Sequence, residues 1–432
     1  MRTHIARPLA VSLVAVATVS ATAFLATPAT GAPPAVNQSV IGDNTQFYVP
    51  QIKHYKEAQA QIADLTQKGD KADANRIRSM ITTPQAVWLT QGTPKEVEQQ
   101  ARQVTSRAAD KGRVPVLVAY NIPFRDCAQY SAGGATDAAS YGAWIDGVAR
   151  GIGGRPAVVL LEPDSLGIIP WYTSINGATE WCQPADADPA TAAADRFAML
   201  NHAVDALKSN ADTAVYLDGT HSAWLGAGDA ADRLFKAGVE RADGFFLNVS
   251  NYQPTEKLAK YGDWISQCLW FGTNPAEGGW RLGHFDYCAS QYYPADPNDF
   301  STWGLTDQWY ADNVTHAANP PASSDDLTHF VIDTSRNGQG PWTPPAGAYP
   351  DPQDWCNPPG RGLGARPTTA TGDPLDDAYL WVKTPGESDG QCSRGLTSNG
   401  GVDPEWGIVD PAAGDWFPHQ ALQLAQLANP AL

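Results

Sequence analysis

A chain of 432 residues with a formal charge of −17 is long enough for a large core, as one elaborate barrel or two domains, and too acidic for nucleic acid or an anionic membrane surface to be its partner. Its 8 His are scattered, with no HExxH and no CxxC among them and the six Cys, so metal-dependent hydrolysis lacks support and neither a metal nor another cofactor is expected. Residues 1–32 combine Arg2 and Arg7, an apolar stretch from Leu9 to Leu25 and the small residues Thr30-Gly31-Ala32. That is the pattern of a secretory leader, so a secreted mature chain is expected over 33–432, without a membrane span.

Phe47-Tyr48-Val49 opens the fold, residues 53–80 have a charged helical pattern, and Val87-Trp88-Leu89 is a short strand. Thr93-Pro94-Lys95-Glu96 is a capping box with Pro at the first helical position, and Val97, Ala101, Val104 and Ala108 follow at helical spacing. Val116 to Asn121 is a strand, and Asp137 to Arg150 a helix with Tyr141, Ile145 and Val148 on one face. Ala157 to Leu161 is an unbroken apolar run, the pattern of a strand buried on both faces, and Pro163 must end it. Asp188-Pro189 starts a helix, Thr213 to Leu217 is a strand, and Asp229 caps a helix from Ala230 to Ala237. Gly244 to Val249 is a strand, a helical stretch runs near 302–316, and His329 to Ile332 and Ala378 to Val382 are the last strands before a closing helix, Trp416 to Leu427. Seven apolar strands alternating with helices predict a parallel α/β barrel. The stretches 269–300, 338–376 and 384–415 are too long for connectors and are expected to cover or shape a site.

Polar residues gather where these strands end: Tyr120, Asn121, Arg125 and Asp126; Glu162 and Asp164; Asp218, His221 and Trp224; Asn248 and Asn251; Asp333 and Arg336; Lys383, Glu387 and Asp389. Core packing does not require this, and in a parallel barrel the C-terminal strand ends carry the chemistry. Arg125 is expected to pair with a neighbouring carboxylate, and Asp333 with Arg336 as a structural ion pair. Gly386-Glu-Ser-Asp-Gly390 matches GxSxG but lacks the strand–elbow–helix context, so it is read as chance. Many carboxylates, an acidic surface and fifteen Trp suit the cleavage of an uncharged sugar polymer, in which one carboxylic acid protonates the leaving oxygen. Clustered Asp residues would raise the pKa of one member and keep it protonated. Six Cys in an exported chain favour disulfides; of the fifteen pairings possible, the simplest without nesting is Cys127–Cys182, Cys268–Cys288 and Cys356–Cys392.

Tyr120-Asn-Ile-Pro-Phe-Arg-Asp-Cys127 with Ser131-Ala-Gly-Gly134, and Leu160-Leu-Glu-Pro-Asp-Ser-Leu-Gly167, resemble the two signature stretches of glycoside hydrolase family 6 cellulases. Tyr216-Leu-Asp-Gly-Thr-His221 with Trp224, Asn248-Val-Ser-Asn251, Asp354-Trp-Cys-Asn357 and the stretch from Trp381 to Asp389 extend the resemblance over residues 45–430. It implies a distorted seven-stranded barrel with long loops, and inverting hydrolysis of β-1,4-glucan. Carried over by position, Asp164 would be the general acid and Asp126 the aspartate that raises its pKa and orders water. Asp389 would be a candidate base acting through a water chain, Tyr120 the residue pressing on the sugar at the cleavage point, and Asp218 a member of the charge network. Trp88 and Trp355 would bind glucose on one side of the cut and Trp224 on the other. His221, Asn251, Lys383 and Glu387 would line the substrate path, and Ser131 would hold the catalytic water. The family's disulfides fall on Cys127–Cys182 and Cys356–Cys392, leaving Cys268–Cys288 as a third.

Two modes of action exist in this family, and the long segments 168–188 and 390–415 are expected to fold over Asp164 and roof an active-site tunnel. That favours release of cellobiose from chain ends by a monomer acting on cellulose or cello-oligosaccharides, over endo-acting cleavage. A further tunnel-mouth Trp of some members is replaced here by Ala227, so chain capture is assigned to Trp270 or Trp280. A non-catalytic glucan-binding protein would not need Asp164 and Asp126, and a metal-dependent deacetylase would need a His/Asp ligand set that is not spaced for here.

Overall fold

Seven short strands form one parallel sheet in chain order: β1 (Val87–Leu89), β2 (Val116–Ala119), β3 (Ala157–Leu161), β4 (Thr213–Asp218), β5 (Gly244–Leu247), β6 (His329–Asp333) and β7 (Asp376–Leu380). Each lies on its apolar run, with β7 starting ahead of the expected Ala378. The computed structural model describes residues 40–274 and 279–432; the leader expected over 1–32 lies outside them. The strands read as continuous apolar runs because both faces are covered. Val116, Val118, Val158, Leu160, Tyr216, Phe246 and Val331 pack into an inner cluster. Their alternates Leu117, Val159, Leu161, Val215, Leu217, Phe245 and Phe330 pack outward in the larger helix-covered core.

The sheet curls without closing, since β1 and β7 share no ladder. Their seam is crossed by two hydrogen bonds: the Ala86 N–H donates to the Trp381 carbonyl at 2.9 Å, and the Trp88 indole donates to the Val382 carbonyl at 2.9 Å. The helices are α1 (Tyr55–Lys68), α2 (Lys71–Ile81), α3 (Pro94–Ala109), α4 (Ala138–Ile152), α5 (Ala192–Lys208), α6 (Ala227–Lys236), α7 (Thr255–Thr273), α8 (Gly304–Tyr310) and α9 (Pro418–Gln426).

Several elements differ from the sequence expectation. The helical stretch 53–80 is split by Gly69, which caps α1 in the left-handed region. Asp188 closes a turn, its carboxylate accepting from the Ala190 N–H at 2.9 Å, and α5 starts only at Ala192. Helix α6 starts ahead of Asp229, capped by Gly226, because the Asp229 carboxylate is committed to Arg233 at 2.9 and 3.0 Å. Helix α7 was not anticipated, although Leu258, Tyr261, Ile265, Cys268 and Leu269 give it a buried face at helical spacing; it takes up the start of the supposed 269–300 loop.

All three non-nested disulfides are present: Cys127–Cys182, Cys268–Cys288 and Cys356–Cys392. The first spans 55 residues, a closure worth roughly 4 kcal/mol in the chain-entropy account. The segment 168–188 is tied to the residue after Asp126 by the Cys127–Cys182 bridge and is held by α6 as well. Arg233, whose side chain is 1% exposed, needs countercharge and draws Glu180 to 2.6 Å, while the Tyr172 hydroxyl donates to Asp232 at 3.0 Å. Both contacts hold the segment against α6. The loops following β2, β6 and β7 also meet. Gly390 has φ +149° and lets Tyr130 close in; a Cβ there would stand 2.6 Å from the Tyr130 Cβ. Gln353 Nε2 then donates to the Tyr130 hydroxyl at 3.2 Å.

Candidate active site

β3 ends at Leu161, and Glu162 and Asp164 both adopt left-handed backbone, at φ +55° and +65° around Pro163. The two carboxylates of this turn have different environments. Glu162 is fully buried and accepts the N–H groups of Asn121 and Ile122 at 2.9 and 3.0 Å. It braces the end of β2, and burial pushes its carboxyl up to about 7. The Asp164 carboxyl accepts no hydrogen bond from the described residues. Burial first, and then the charges of Asp218 and Asp126, push it well above the ordinary carboxylate range.

Asp218 ends β4 on the inward parity of that strand. Its Oδ2 accepts from the N–H groups of Leu166 and Gly167 at 3.2 and 3.3 Å, and its Oδ1 from Thr220 at 3.0 Å. It therefore holds the turn that carries Asp164, and burial, opposed by these bonds, leaves its own carboxyl at about 6. Asp126 Oδ2 accepts from the Ser131 N–H at 2.7 Å and its hydroxyl at 2.8 Å. Burial outweighs these bonds and the Arg125 charge, so its carboxyl is raised. The Tyr120 hydroxyl lies 3.0 Å from Ser131 Oγ, and after burial the charges of Asp164 and Asp126 raise its pKa further. Tyr120, Ser131, Asp126, Asp164 and Asp218 thus form one group. Among the described residues Arg125 pairs with no carboxylate at contact distance. It donates to the carbonyls of Tyr120, Ser131 and Thr90 at 2.6, 2.9 and 3.0 Å and lies 4.6 Å over the Tyr120 ring. The turn of the β2 loop brings carbonyls, not acids, to its guanidinium.

Asp389 is a carboxylate of the opposite kind. Arg336 Nη1 reaches both its oxygens, at 3.0 and 2.9 Å, and Lys383 Nζ lies at 3.3 Å. The Asn357 N–H and the Tyr252 hydroxyl donate to it at 3.0 and 3.2 Å. Burial would raise its carboxyl, but Arg336 and Lys383 outweigh it and hold it below the usual range. The expected Asp333–Arg336 pair is therefore wrong. Asp333 accepts four N–H groups, from Ser335, Val382, Lys383 and Ser250 at 2.9 to 3.2 Å, which leaves Arg336 free to reach across the sheet.

Residues 43–428 match the family model described as Glycosyl hydrolases family 6. The chain belongs to this family. Endoglucanase A of Cellulomonas fimi is 32% identical over 385 residues, 89% of this chain and 61% of that protein, so the chain spans less than two thirds of that relative. A probable 1,4-beta-D-glucan cellobiohydrolase C of Neosartorya fischeri is 30% identical over 73% of this chain and 62% of its own length. The solved endoglucanase Cel6 of Mycobacterium tuberculosis, in complex with methyl-cellobiosyl-4-deoxy-4-thio-β-D-cellobioside, is 34% identical, with a TM-score of 0.61 over 89% of this chain and 98% of that one.

The other positions that the family resemblance singled out fall around the same strand ends. The Trp88 ring meets Tyr120 edge-on at 5.4 Å, and the partly exposed Trp355 lies 5.9 Å from Tyr130. Trp224 packs on the acid-bearing turn, because Gly167 has no Cβ to meet its ring, which would stand 2.5 Å away. His221 lies 5.6 Å from Trp224, and burial lowers its imidazole to about 4, so it is neutral above that pH. Lys383 is spent on Asp389 and the Ser388 carbonyl, at 3.2 Å to the latter. Burial raises Glu387 against the Lys383 charge, and Asn251 Nδ2 donates to the Val249 carbonyl at 3.3 Å. Ser388 of the GxSxG match is buried and donates to the Pro411 carbonyl at 2.8 Å, so it is not a nucleophile. Arg336 and Tyr252, in the shell around Asp389, were missed as site residues. A buried Arg at a strand end was the available signal.

Proposed function

We propose that this chain hydrolyses β-1,4-glucosidic bonds of cellulose with inversion, the un-ionised Asp164 giving its proton to the bridging oxygen as the bond to the anomeric carbon breaks. The observation that carries this reading is a half-buried carboxyl that accepts no hydrogen bond from the described residues, kept protonated by burial first and then by the charges of Asp218 and Asp126. A water adds to the anomeric carbon from the opposite face. Asp126, with its raised pKa, is the better acceptor for the proton of that water, through the hydroxyl of Ser131. Asp389, held ionised and hydrogen-bonded by Arg336, is a weaker base and supplies fixed negative charge as the sugar turns cationic. Tyr120 stands beside Trp88 where the distorted ring would lie, Trp224, Trp355, His221, Asn251 and Glu387 complete the substrate path, and Lys383 steadies Asp389 beside it.

The contact of Tyr130 with Gly390 and Gln353 supports chain-end release of cellobiose, since it joins three loops at the strand ends, those following β2, β6 and β7. Endo-acting cleavage is the second reading, and the endoglucanase names of relatives favour it. Early products separate the two. A dominant disaccharide with little loss of viscosity supports chain-end action, and a rapid fall in viscosity refutes it. Proton NMR of the first product is expected to show the α-anomer, and the β-anomer first would exclude inversion. Pairing of all six cysteines supports a secreted protein.

The pH profile tests the charge arrangement. Ionised Asp218 disfavours ionisation of Asp164, so Asp218→Asn lets the acid lose its proton earlier. The alkaline limb of kcat/KM is expected to move to lower pH, most clearly above about 6, where Asp218 itself is charged. An unmoved limb would show that Asp218 only braces the turn.

A further inference from the structure

We propose that Tyr292 and Tyr293 extend the glucan-binding track past Trp224 and hold the part of the chain beyond the cleavage point, an inference that rests on reading the chain as a cellulase. The two tyrosines sit on a turn clamped to the segment that carries Trp224. Gln291 between that segment and the turn is fully buried, and its Nε2 donates to the Ser222 and Leu225 carbonyls at 3.1 and 2.8 Å. The Tyr292 hydroxyl donates to the Trp224 carbonyl itself at 3.1 Å. The Ser290 N–H closes the turn on the Tyr293 carbonyl at 2.8 Å, and the Ser290 carbonyl accepts from Thr306 Oγ1 at 2.8 Å. On the near side, Tyr310 donates to the Ala289 carbonyl at 2.9 Å, and Cys288 is bonded to Cys268 of α7.

A turn anchored this firmly nevertheless exposes its aromatic rings, Tyr292 at 44% and Tyr293 at 81%. Folding gains little from a ring so exposed. A fixed aromatic face offers a sugar stacking area with little ordering cost on binding. A β-1,4-glucan is a stiff rod, so the surface that adjoins one stacked sugar receives the next. The turn adjoins Trp224 directly: Tyr292 Cδ2 lies 3.7 Å from the Cβ position of Gly226.

The aromatics expected from sequence do not fit this role. Trp270 lines a cavity of about 430 Å³ with Asp243 and His329, at the starts of β5 and β6, the end of the sheet away from Asp164. Trp280 is half exposed, at 51%, but its ring packs against Phe271 of α7 and Tyr287, at 6.0 and 5.6 Å, and not against Trp224.

Steady-state kinetics of the full chain on cellotetraose and cellohexaose test the proposal. Tyr293→Ala and Tyr292→Ala are each expected to raise KM for cellohexaose roughly three- to tenfold, as loss of one stacked ring implies. kcat on cellohexaose and KM on cellotetraose should stay within about twofold of wild type for Tyr293→Ala, as a remote binding contact predicts. Tyr287→Ala, with an exposure of 56% between those of Tyr292 and Tyr293 but outside the track, should leave both substrates unaffected. A wild-type ratio of the two KM values in Tyr293→Ala and Tyr292→Ala overturns the track while leaving the cellulase reading intact. Failure of the wild-type chain to cleave either oligosaccharide overturns the cellulase reading and the track with it.

Discussion

Asp164→Asn lowers turnover on cellulose by roughly 10²–10⁴-fold, the usual contribution of a positioned general acid, and leaves cellulose binding close to wild type. The amide has no proton of comparable acidity to give, so the sugar must leave as an unprotonated alkoxide. Asn is the informative replacement because Asp164 sits at φ +65°, where Asn is tolerated and Ala is strained. The carboxyl accepts no hydrogen bond from the described residues, so little folding energy is forfeited. A substrate that does not need the proton separates the chemical role from a structural one. With a dinitrophenyl leaving group, stable as an anion, the variant should recover most of the lost rate. An equal loss on both substrates, with folding intact by circular dichroism, would sink the acid assignment and the inverting scheme built on it.

Arg336→Met destabilises the fold by about 3–5 kcal/mol at neutral pH, the expected result of stripping one partner from a buried ion pair. Arg336 is 0% and Asp389 6% exposed in their side chains, so water cannot replace the lost guanidinium. Lys383 remains 3.3 Å from one oxygen, whereas Arg336 Nη1 reaches both. The pH dependence has a definite sign. In the wild type the carboxyl of Asp389 is depressed, so its contribution to stability is present above the ordinary carboxylate pKa and is lost as pH falls through the folded value. Without Arg336 that contribution disappears, and burial favours the protonated acid. The deficit against wild type should therefore be largest near pH 7 and shrink towards about pH 3, below the ordinary carboxylate range. Urea denaturation at both pH values measures it. A deficit under about 1 kcal/mol, or one independent of pH, would show that the pair is not what keeps Asp389 ionised.

The same pair marks where linear reading stops. Arg336 stands three positions beyond Asp333 on one strand end, and proximity in sequence suggested that they pair. Four main-chain N–H groups reach Asp333 first, because β6 ends between the chains leaving β5 and β7. Arg125 was misassigned for a related reason: its partners are carbonyls presented by a turn, and composition cannot show where carbonyls point. Helix α7 was overlooked because the small or polar Gly262, Ser266 and Gly272 are buried along with its apolar stripe, which blurs the amphipathic pattern.

By itself the sequence determined the seven strands, the side of the sheet that would carry the chemistry, and the acid-bearing turn after β3. Each of these is written in neighbouring residues: an apolar run too short for a helix, a proline that ends it, an aspartate just beyond. It also held the family resemblance through the stretches around Asp126 and Asp164. Only the tertiary structure decided which carboxyl has its pKa pushed up and which has it held down, which loops meet across the strand ends, and which aromatics adjoin Trp224. Those outcomes depend on burial and on charges brought together from distant strands by the curl of the sheet, and such energies belong to distances in space.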